Sequence, residues 1–555
     1  MKWRVIIDHL KVPLMFNNEF ALGFRSLIVF SFNREREGIS MNGAESLVRT
    51  LVKSGVEICF TNPGTSEMHF VAALDHVDGM RCVLGLFEGV VTGMADGYGR
   101  MADKPASTLL HLGPGLGNGL ANLHNAKKAN TPIVNIVGEH ATYHIEYDAP
   151  LTADIEGIAA PVSGWVKTSQ SSKDVALDGA DAVAAAKTGA GQIATLILPA
   201  NTAWDEAVSD ASPRTVQDRP QVSSDLITRV AAALMSDGET LIHMTGRALR
   251  QDTLELLGKI QTKTGCRLSC MTANGRWQRG AGRVAIERIQ YPVDVALKQL
   301  ETVSDIILLG TKTPVAFFAY PNKPSVLIPD SCNVHQLASI DDNHVSVIEA
   351  LVDELDAHNF QPKLQKLDLP ELKTGALTPE TIASAIGNLM PENAIIADES
   401  VTTGRGFMPF TQGARPHDWM SLTGGSIGLG LPYATGAALA CPDRKVICTE
   451  GDGSGMYTLQ ALWTQAREGC DIINIIFNNG AYSILKGELA NVGARNPGRK
   501  ALDMLELDRP NIDWGYLAKG MGVQATRATD TEEFNEQLAR AVALPGPHLI
   551  EVMLP

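Results

Sequence analysis

The chain has 555 residues, a formal net charge of −15 and a globular composition, with 45% hydrophobic and 20% charged residues. This length allows several domains, and the composition excludes a disordered or fibrous chain. The negative charge argues against nucleic acid or an anionic membrane as a partner, because both select for clustered Lys and Arg. An anionic ligand would therefore have to be bound locally, through a metal ion or backbone amides.

The beginning of the chain is interpreted as an extension. Residues 1–40 precede Met41 and Asn42, and Asn42 is a suitable cap for a helix over Ser46 to Val52. No apolar run reaches the length that spans a membrane. The eight cysteines are scattered, which favours buried thiols in a reducing cytoplasm.

Short apolar runs typical of β-strands alternate with helical patterns along most of the chain. This alternation predicts three consecutive doubly wound α/β domains, over residues 41–205, 222–360 and 378–555. Two polar, proline-containing stretches, 205–223 and 361–379, are predicted linkers. The predicted strands are Glu57–Thr61, Thr108–Leu112, Ile133–Val137, Thr195–Leu198, Thr240–Met244, Asp305–Leu309, Ser325–Ile328, Ala394–Ala397, Lys445–Thr449, Ile472–Phe477 and His548–Val552.

Residues 451–479 place an acid between two glycines and then two asparagines one helix and one strand later. In a parallel βαβ unit, Asp452 and Asn479 would lie at the same sheet edge, where α/β proteins bind ligands. A carboxylate and an amide oxygen suit Mg²⁺, and the flanking glycines let backbone N–H groups approach phosphate at a helix N-terminus. The spacing predicts a metal–diphosphate site, whereas Gly451-Asp452-Gly453 alone would favour an ordinary turn. Neither a Walker lysine nor a G-x-G-x-x-G pattern is found.

The segment from Asp452 to Asn479 resembles the thiamine diphosphate signature of the family that includes benzoylformate decarboxylase, pyruvate decarboxylase and acetolactate synthase. The resemblance covers residues 41–555, in the order pyrimidine-binding, middle and diphosphate-binding domain. It is closest to acetolactate synthase large subunits of the benzoylformate-decarboxylase-like branch. It implies that Asp452, Asn479 and Ala481 bind Mg²⁺ and that Gly453 and Ser454 also contact the cofactor.

The other half of the cofactor site is implied by Leu86–Tyr98 (LFEGVVTGMADGY), where Glu88 matches the glutamate that hydrogen-bonds the pyrimidine ring. Taken alone, such a Glu is more often an acidic residue of a helix first turn. The stretch TNPGTSE resembles the turn beside the active site, which implies cofactor contacts from Asn62 and Gly64 and a substrate contact from Thr65. His111 stands where benzoylformate decarboxylase has a catalytic histidine and acetolactate synthases have none. A lone His at a strand end is otherwise usually structural.

In the third predicted domain, Gly425 to Gly428 match the stretch that bends the cofactor. The resemblance implies that Ile427 is the apolar wedge between the two rings of the cofactor. It also implies that the Gly425 carbonyl accepts a hydrogen bond from the 4′-amino group of the cofactor. Ser400 and Thr402 align with a diphosphate-contacting segment. Ile484 and Leu485 are placed at the wall of the substrate pocket, and Ile484 replaces an alanine of benzoylformate decarboxylase. This favours a small 2-oxo acid such as pyruvate, although Ile484 could instead pack into the following helix.

Three functions stay open at this point. The first is decarboxylation of a 2-oxo acid followed by carboligation, as in acetolactate synthesis. The second is decarboxylation to an aldehyde, which His111 favours as a proton donor. The third is a cofactor-binding paralogue without catalysis, against which Glu88, Asp452 and Asn479 argue. FAD is doubtful, because the middle segment around Gly310–Phe318 lacks a counterpart of the flavin-contacting residues. The family places each active site between two subunits, which implies a homodimer or homotetramer.

Overall fold

The computed structural model describes residues 41–494 and 496–554, so the predicted extension over residues 1–40 lies outside the described residues. The described chain forms three sheets that are mainly parallel and pack against helices. This confirms the predicted class of three consecutive α/β units. The limits 41–205, 222–360 and 378–555, taken as domain boundaries, stay a prediction. No helix in the described part of the chain is both long and apolar enough to cross a membrane.

The first sheet has six parallel strands in the order β2-β1-β3-β4-β6-β5. Its inner strands are buried apolar runs, which is why the sequence pattern revealed them. The predicted strand Thr108–Leu112 is shifted, because Leu112 has a φ of 51° and begins the next helix. The strands are β1 Ile58–Thr61, β2 Arg81–Leu84, β3 Ala106–Leu110, β4 Ile133–Glu139, β5 Trp165–Thr168 and β6 Ile193–Pro199. The helices are α1 Gly43–Lys53, α2 Met68–His76, α3 Glu88–Ala102, α4 Leu112–Ala129, α5 Ile155–Ala159, α6 Val175–Lys187 and α7 Ala200–Trp204.

The second sheet has five parallel strands in the order β10-β8-β7-β11-β12. The predicted strand Ser325–Ile328 is wrong, since this stretch contributes only an isolated bridge between Val326 and Val315. The edge position is taken by Asn333–Ala338, whose polar residues gave no apolar run. The strands are β7 Glu239–Met244, β8 Arg267–Cys270, β10 Glu287–Arg288, β11 Val303–Leu309 and β12 Asn333–Ala338. The helices are α8 Ser224–Leu234, α9 Gln251–Thr264, α10 Val293–Leu300 and α11 His344–Glu354.

The third sheet has seven strands in the order β17-β18-β16-β15-β13-β14-β9. The strand β9, Trp277–Arg279, comes from the middle of the chain and pairs antiparallel with β14, so that Trp277 lies opposite Trp419. The other strands are β13 Ala394–Glu399, β14 His417–Ser421, β15 Val446–Gly451, β16 Ile472–Asn478, β17 Gln524–Ala528 and β18 His548–Met553. The helices are α12 Pro379–Leu389, α13 Phe407–Gln412, α14 Gly430–Ala440, α15 Asp452–Gly455, α16 Ala461–Glu468, α17 Ser483–Asn491, α18 Arg499–Asp503, α19 Trp514–Gly520 and α20 Thr531–Ala543.

The helices α3 and α14 connect the first and third sheets at very short range. A Cβ added at Gly97 would lie 1.9 Å from the carbonyl oxygen of Tyr433, and one added at Gly436 would lie 1.9 Å from that of Met94. Glycine at both positions therefore allows the two backbones to touch. Because α3 begins at Glu88 and α14 follows the Gly425–Gly428 stretch, this packing holds together the two helices that adjoin these predicted site residues.

Candidate active site

The turns that follow β15 and β16 are joined through Asp452. Its Oδ1 accepts the backbone N–H of Gly453 (2.9 Å), and its Oδ2 accepts that of Gly480 (2.8 Å). The amide oxygen of Asn479 accepts the N–H of Ala481 (3.0 Å). Since β15 and β16 are neighbouring parallel strands, their carboxyl ends bring this carboxylate and this amide to one sheet edge.

The oxygen donors at this edge fit a hard divalent cation. Asp452 offers a carboxylate, Asn479 an amide oxygen and Ala481 a backbone carbonyl, which are ligand types that Mg²⁺ prefers. Asp452 is buried, and this burial raises the pKa of its carboxyl group to about 6 despite the N–H donors around it. A bound cation would oppose that effect by stabilising the charged form. These three residues could therefore hold Mg²⁺.

The two residues after Asp452 differ in what they can offer a diphosphate. A Cβ added at Gly453 would lie 2.4 Å from the ring of Tyr482, so glycine is required under that ring. Ser454 is buried, and its hydroxyl donates to the carboxylate of Glu450. Any hydrogen bond from this hydroxyl to a diphosphate would have to replace the bond to Glu450.

A cleft with a volume of about 2170 Å³ is lined by five of the predicted residues, Ser400, Gly425, Ile427, Ile484 and Leu485. Ile427 and Ile484 are half-buried, and Leu485 is 44% exposed. The side chains from the third sheet that were assigned to the cofactor rings and to the substrate therefore share one cavity.

Of the two residues that follow Ser400 after β13, Val401 lines this cleft and the predicted Thr402 does not. Thr402 caps the short 3-10 helix Thr403–Gly406, and Val401, just before it, has a φ of 44°. A β-branched residue rarely adopts a positive φ, and such strained positions cluster at functional sites. Phe317 reaches the same cleft from the middle of the chain, where a Cβ added at Gly425 would lie 2.8 Å from its ring.

Glu88 lies at the start of α3 and is 8% exposed. Its Oε2 accepts a hydrogen bond from the side-chain amide of Asn118 (3.0 Å). A Cβ added at Gly115 would lie 3.2 Å from Oε1, so glycine at this position keeps room beside the second oxygen. The carboxylate is thus held at one oxygen and has space at the other.

His111 lies between β3 and α4, next to the residue with positive φ, Leu112. Its Nδ1 is 2.9 Å from Oε2 and 3.1 Å from Oε1 of Glu67, a buried residue of the TNPGTSE turn. In the same turn, Asn62 donates its side-chain amide to the carbonyl of Gly85 (2.8 Å). The turn therefore places a buried carboxylate against the predicted catalytic histidine.

Two other predicted residues of this turn, Thr65 and Gly64, contribute no side-chain contact to that pairing, although the backbone N–H of Gly64 donates to Oε2 of Glu67 (2.7 Å). Thr65 is exposed and begins a short 3-10 helix. At Gly64, an added Cβ would lie 2.1 Å from Nδ1 of His111, so glycine is needed for the ring to lie there.

Besides the metal-site residues around Asp452 and Asn479, which do not line the cleft, the predicted residues form two groups within one chain. The first group comprises Asn62, Gly64, Thr65, Glu88 and His111, and none of these lines the cleft that Gly425, Ile427 and Ile484 share. The side-chain amide of Asn122 connects the neighbourhoods of the two groups by donating to the carbonyls of Gly89 (2.8 Å) and Gly428 (3.2 Å).

Sequence reasoning gave no role to Glu67 and Asn118. Glu67 stands 44 positions from His111 and Asn118 stands 30 positions from Glu88. Neither separation corresponds to one face of a helix or strand, so no periodicity could reveal these contacts. The available signal for Glu67 was an acidic residue in the TNPGTSE turn that follows β1.

Comparison with known families identifies the two domains to which these candidate residues belong. The family described as "Thiamine pyrophosphate enzyme, N-terminal TPP binding domain" matches residues 41–159, and the corresponding "C-terminal TPP binding domain" matches residues 402–552. Both groups of candidate residues fall within these two matches, apart from Ser400 immediately before the second.

Known proteins agree with these matches over 90% or more of this chain. The Mycobacterium tuberculosis protein named "Putative acetolactate synthase large subunit IlvX" is 49% identical over 516 residues, which are 93% of this chain and 99% of that protein. Benzoylformate decarboxylase of Pseudomonas aeruginosa is 28% identical, over 90% of this chain and 97% of that protein. The solved structure of a thiamine diphosphate-dependent 4-hydroxybenzoylformate decarboxylase from Rhodococcus jostii RHA1 matches the fold with a TM-score of 0.79, at 24% identity, over 92% of this chain and 99% of that chain.

The fold, the chemistry of the site and the similarities together define a thiamine diphosphate-dependent enzyme that forms or cleaves carbon–carbon bonds. The chain belongs to the thiamine pyrophosphate enzyme family, whose cofactor is thiamine diphosphate. The family assignment made from the GDG and NN spacing and from the motif around Glu88 is thereby confirmed.

Proposed function

We propose that this protein is a thiamine diphosphate- and Mg²⁺-dependent enzyme that decarboxylates a small 2-oxo acid such as pyruvate and joins the remaining acyl group to a second carbonyl compound. The observation that carries the proposal is the coexistence of two elements in one chain. Glu88 is a buried acid held by Asn118, and Asp452 and Asn479 are oxygen donors at a common sheet edge. The name of the relative with 49% identity supports the carboligating reaction.

Each group of residues has a distinct task in this reaction. When bound, thiamine diphosphate supplies a carbon nucleophile for the 2-oxo group and accepts the electron pair that CO₂ leaves behind. Glu88 would share a proton with the pyrimidine N1′ through the oxygen that Gly115 leaves free. Asp452, Asn479 and Ala481 would hold Mg²⁺ and, through it, the diphosphate. Ile427 would support the bent cofactor from the cleft side.

A second candidate is the formation of an aldehyde, as in benzoylformate decarboxylase. The observation that favours it is the contact between His111 and the Glu67 carboxylate, because a histidine held by an acid is suited to deliver a proton to the product. In carboligation, the acyl carbon left after the loss of CO₂ bonds to the second carbonyl compound instead of to that proton. The two reactions therefore share every step up to the loss of CO₂.

Product analysis separates the two reactions. The purified protein with thiamine diphosphate and Mg²⁺ is given pyruvate alone, or pyruvate with an added aldehyde, and the products are read by NMR. Carboligation predicts CO₂ with acetolactate or a mixed hydroxyketone, whereas decarboxylation predicts CO₂ with acetaldehyde. CO₂ that is released equally fast by the Glu88→Gln variant would contradict both. Cofactor binding without CO₂ release from pyruvate and other 2-oxo acids would indicate a non-catalytic paralogue.

We also propose that the active unit is a homodimer or a homotetramer. The first group of site residues lies outside the cleft of the second group, and this supports a site completed by another copy of the chain. Co-expression of Glu88→Gln and Asp452→Ala chains tests this. If each site uses Glu88 of one chain and Asp452 of another, random mixing restores about a quarter of the wild-type activity, because half of the dimers contain one intact site. Sites built within single chains would give no restoration.

FAD is not part of the proposed cofactor set. The segment Gly310–Phe318 lacks a counterpart of the flavin-contacting residues. In the structure this segment lines the cleft beside Gly425, where Phe317 and Phe318 are each 54% exposed. The absorbance of the purified protein between 350 and 500 nm measures flavin directly, and a stoichiometric flavin spectrum would contradict this part of the proposal. A cytoplasmic location is likewise proposed, on the basis of the cysteines, all of which are free in the structure.

A further inference from the structure

We infer that Glu67 is a positioning residue for His111. It holds the imidazole in one orientation and one tautomer, with the proton on Nδ1, so that Nε2 is the nitrogen that exchanges a proton with the substrate. The inference rests on the second candidate of the proposed function, aldehyde formation, in which His111 transfers that proton.

The contacts of the Glu67 carboxylate identify the tautomer. Its Oε2 accepts the backbone N–H of Gly64 (2.7 Å), its Oε1 accepts the hydroxyl of Ser66 (2.6 Å), and Nδ1 of His111 lies within 3.1 Å of both oxygens. An ionised carboxylate can only accept hydrogen bonds. The Ser66 hydroxyl, 3.4 Å from Nδ1, donates to Oε1 of Glu67 instead. Nδ1 is therefore the donor to the ionised carboxylate, which leaves Nε2 of a neutral ring without a proton.

Burial and shape make this contact specific. The side chain of Glu67 is 1% exposed, whereas that of His111 is 22% exposed, so the acid lies behind the ring and the ring faces outward. Two glycines provide the space. A Cβ added at Gly64 would lie 2.1 Å from Nδ1 of His111, and one added at Gly138 would lie 1.8 Å from Oε1 of Glu67. Any other residue at either position would push the acid and the ring apart.

The chemical consequence concerns where the protons go. With Nδ1 bound to Glu67, protonation of His111 adds a proton at Nε2, the outward nitrogen. After CO₂ has left, that proton forms the new C–H bond, the Nε2–H bond breaks, and the ring returns to its neutral form until solvent protonates it again. The proton on Nδ1 stays between the ring and Glu67 throughout. In the other tautomer, Nε2 would carry a proton in the neutral ring and could not accept one.

The experiment compares Glu67→Gln with the wild type by long-range ¹H–¹⁵N NMR of histidine-labelled protein, with His111→Asn identifying the His111 signals. The glutamine keeps the size of Glu67 but can donate to the ring through its amide. We expect the wild-type pattern to show Nδ1 protonated and the Glu67→Gln pattern to show a mixture or the other tautomer. Glu139→Gln is the matched control, since Glu139 is also a buried acid of the first sheet but accepts the N–H of His140 (2.6 Å) instead.

Activity provides the second readout. Glu67→Gln should lower kcat by tenfold or more with little change in KM, Glu67→Asp should recover part of the loss, and C2 proton exchange of the bound cofactor should stay at the wild-type rate because Glu88 is intact. A folded Glu67→Gln protein with the wild-type tautomer would overturn the inference. A changed tautomer with undiminished turnover would support the positioning by Glu67 but refute the proton transfer by His111. If Glu67→Gln does not fold, the wild-type spectrum alone decides, because a neutral His111 with its proton on Nε2 would overturn the inference.

Discussion

Gly480 donates its backbone N–H to Oδ2 of Asp452 across 2.8 Å, and this bond connects two turns that are 28 positions apart. The acid between two glycines and the residues after the asparagine pair thus meet at one point, at the ends of β15 and β16. Because Asp452 is buried there, it would be stabilised as an anion by a cation shared with Asn479.

Thiamine diphosphate and Mg²⁺ are expected to stabilise the protein together. Linkage predicts about 2.7 kcal/mol at a hundredfold excess over the dissociation constant, which thermal melting curves with each ligand alone and with both will show. Asp452→Ala should lose this joint shift, because the cation then lacks its carboxylate ligand.

Asp443→Ala is the control for that variant. Asp443 is an exposed acid in the turn before β15, at the opposite end of the same strand. It should keep the full ligand-dependent shift. A shift of wild-type size in Asp452→Ala would show that Asp452 does not bind the metal.

Glu88→Gln is expected to bind the cofactor but to activate it slowly. The amide fits the space beside Asn118 and Gly115, yet it cannot share a proton with the pyrimidine nitrogen as a carboxylate does. General acid–base groups contribute on the order of 10²–10⁴ in rate, so H/D exchange at C2 of the bound cofactor should slow by at least the lower figure. Quenched-flow exchange followed by NMR measures this rate.

The exposed acid Glu57, which pairs with Lys104 on the surface, provides the comparison. Glu57→Gln should exchange at the wild-type rate. Equal exchange rates in Glu88→Gln and the wild type would remove Glu88 from the activation step.

The stability of the third sheet is expected to fall in mild acid through His417. Burial and the nearby Arg279 lower the pKa of His417 from its usual 6.5 to about 3. Below pH 6.5 the unfolded chain therefore binds a proton that the folded chain excludes, so the free energy of unfolding decreases as the pH falls. The loss from this residue should be about 2 kcal/mol at pH 5.

Denaturant unfolding of wild type and His417→Asn at pH 7.5 and pH 5 checks this value. The asparagine does not titrate and can still donate to the carbonyl of Arg415, as Nδ1 of His417 does at 2.7 Å. The variant should lose about 2 kcal/mol less than the wild type on acidification. His358→Asn, which replaces an exposed histidine paired with Asp353, should behave like the wild type. The same acid sensitivity in His417→Asn would contradict the argument.

The sequence predicted the buried strands well because they are apolar on both faces. Ile133–Glu139 and Ile193–Pro199 are buried at every position, so their apolar runs could be read directly. Edge strands gave no such signal. Arg81–Leu84 and Asn333–Ala338 are partly exposed and carry polar residues. In place of Asn333–Ala338, the sequence predicted a strand at the apolar stretch Ser325–Ile328, which forms only an isolated bridge.

The candidate site could be predicted where its residues belong to one continuous βαβ unit of the chain. The βαβ spacing was enough to place Asp452 beside the segment after Asn478. The partners of the functional side chains could not be found in this way. Asn118 reaches Glu88, and Glu67 reaches His111, only because separate strands and helices of the first sheet pack together.

Ile484 lies on the first turn of α17, is half-buried and lines the same cleft as Gly425 and Ile427. A residue in this position can form the wall of the substrate pocket or pack against its own helix. The two interpretations differ in what a smaller residue would do. A pocket wall sets the size of the substrate, whereas a packing residue affects mainly stability.

Ile484→Ala is therefore expected to change the preference between donors. Isoleucine is branched at Cβ and stiff at χ1, so it cannot move aside for a large substituent. Overfilling a packed site costs about 1–3 kcal/mol, which corresponds to roughly one to two decades in kcat/KM. Measured kcat/KM should favour pyruvate over benzoylformate in the wild type, and Ile484→Ala should improve benzoylformate while weakening pyruvate. Val492→Ala, which shortens an exposed residue at the end of α17, should leave both values unchanged. A wild type that already prefers benzoylformate would refute the assignment of Ile484 to the pocket wall.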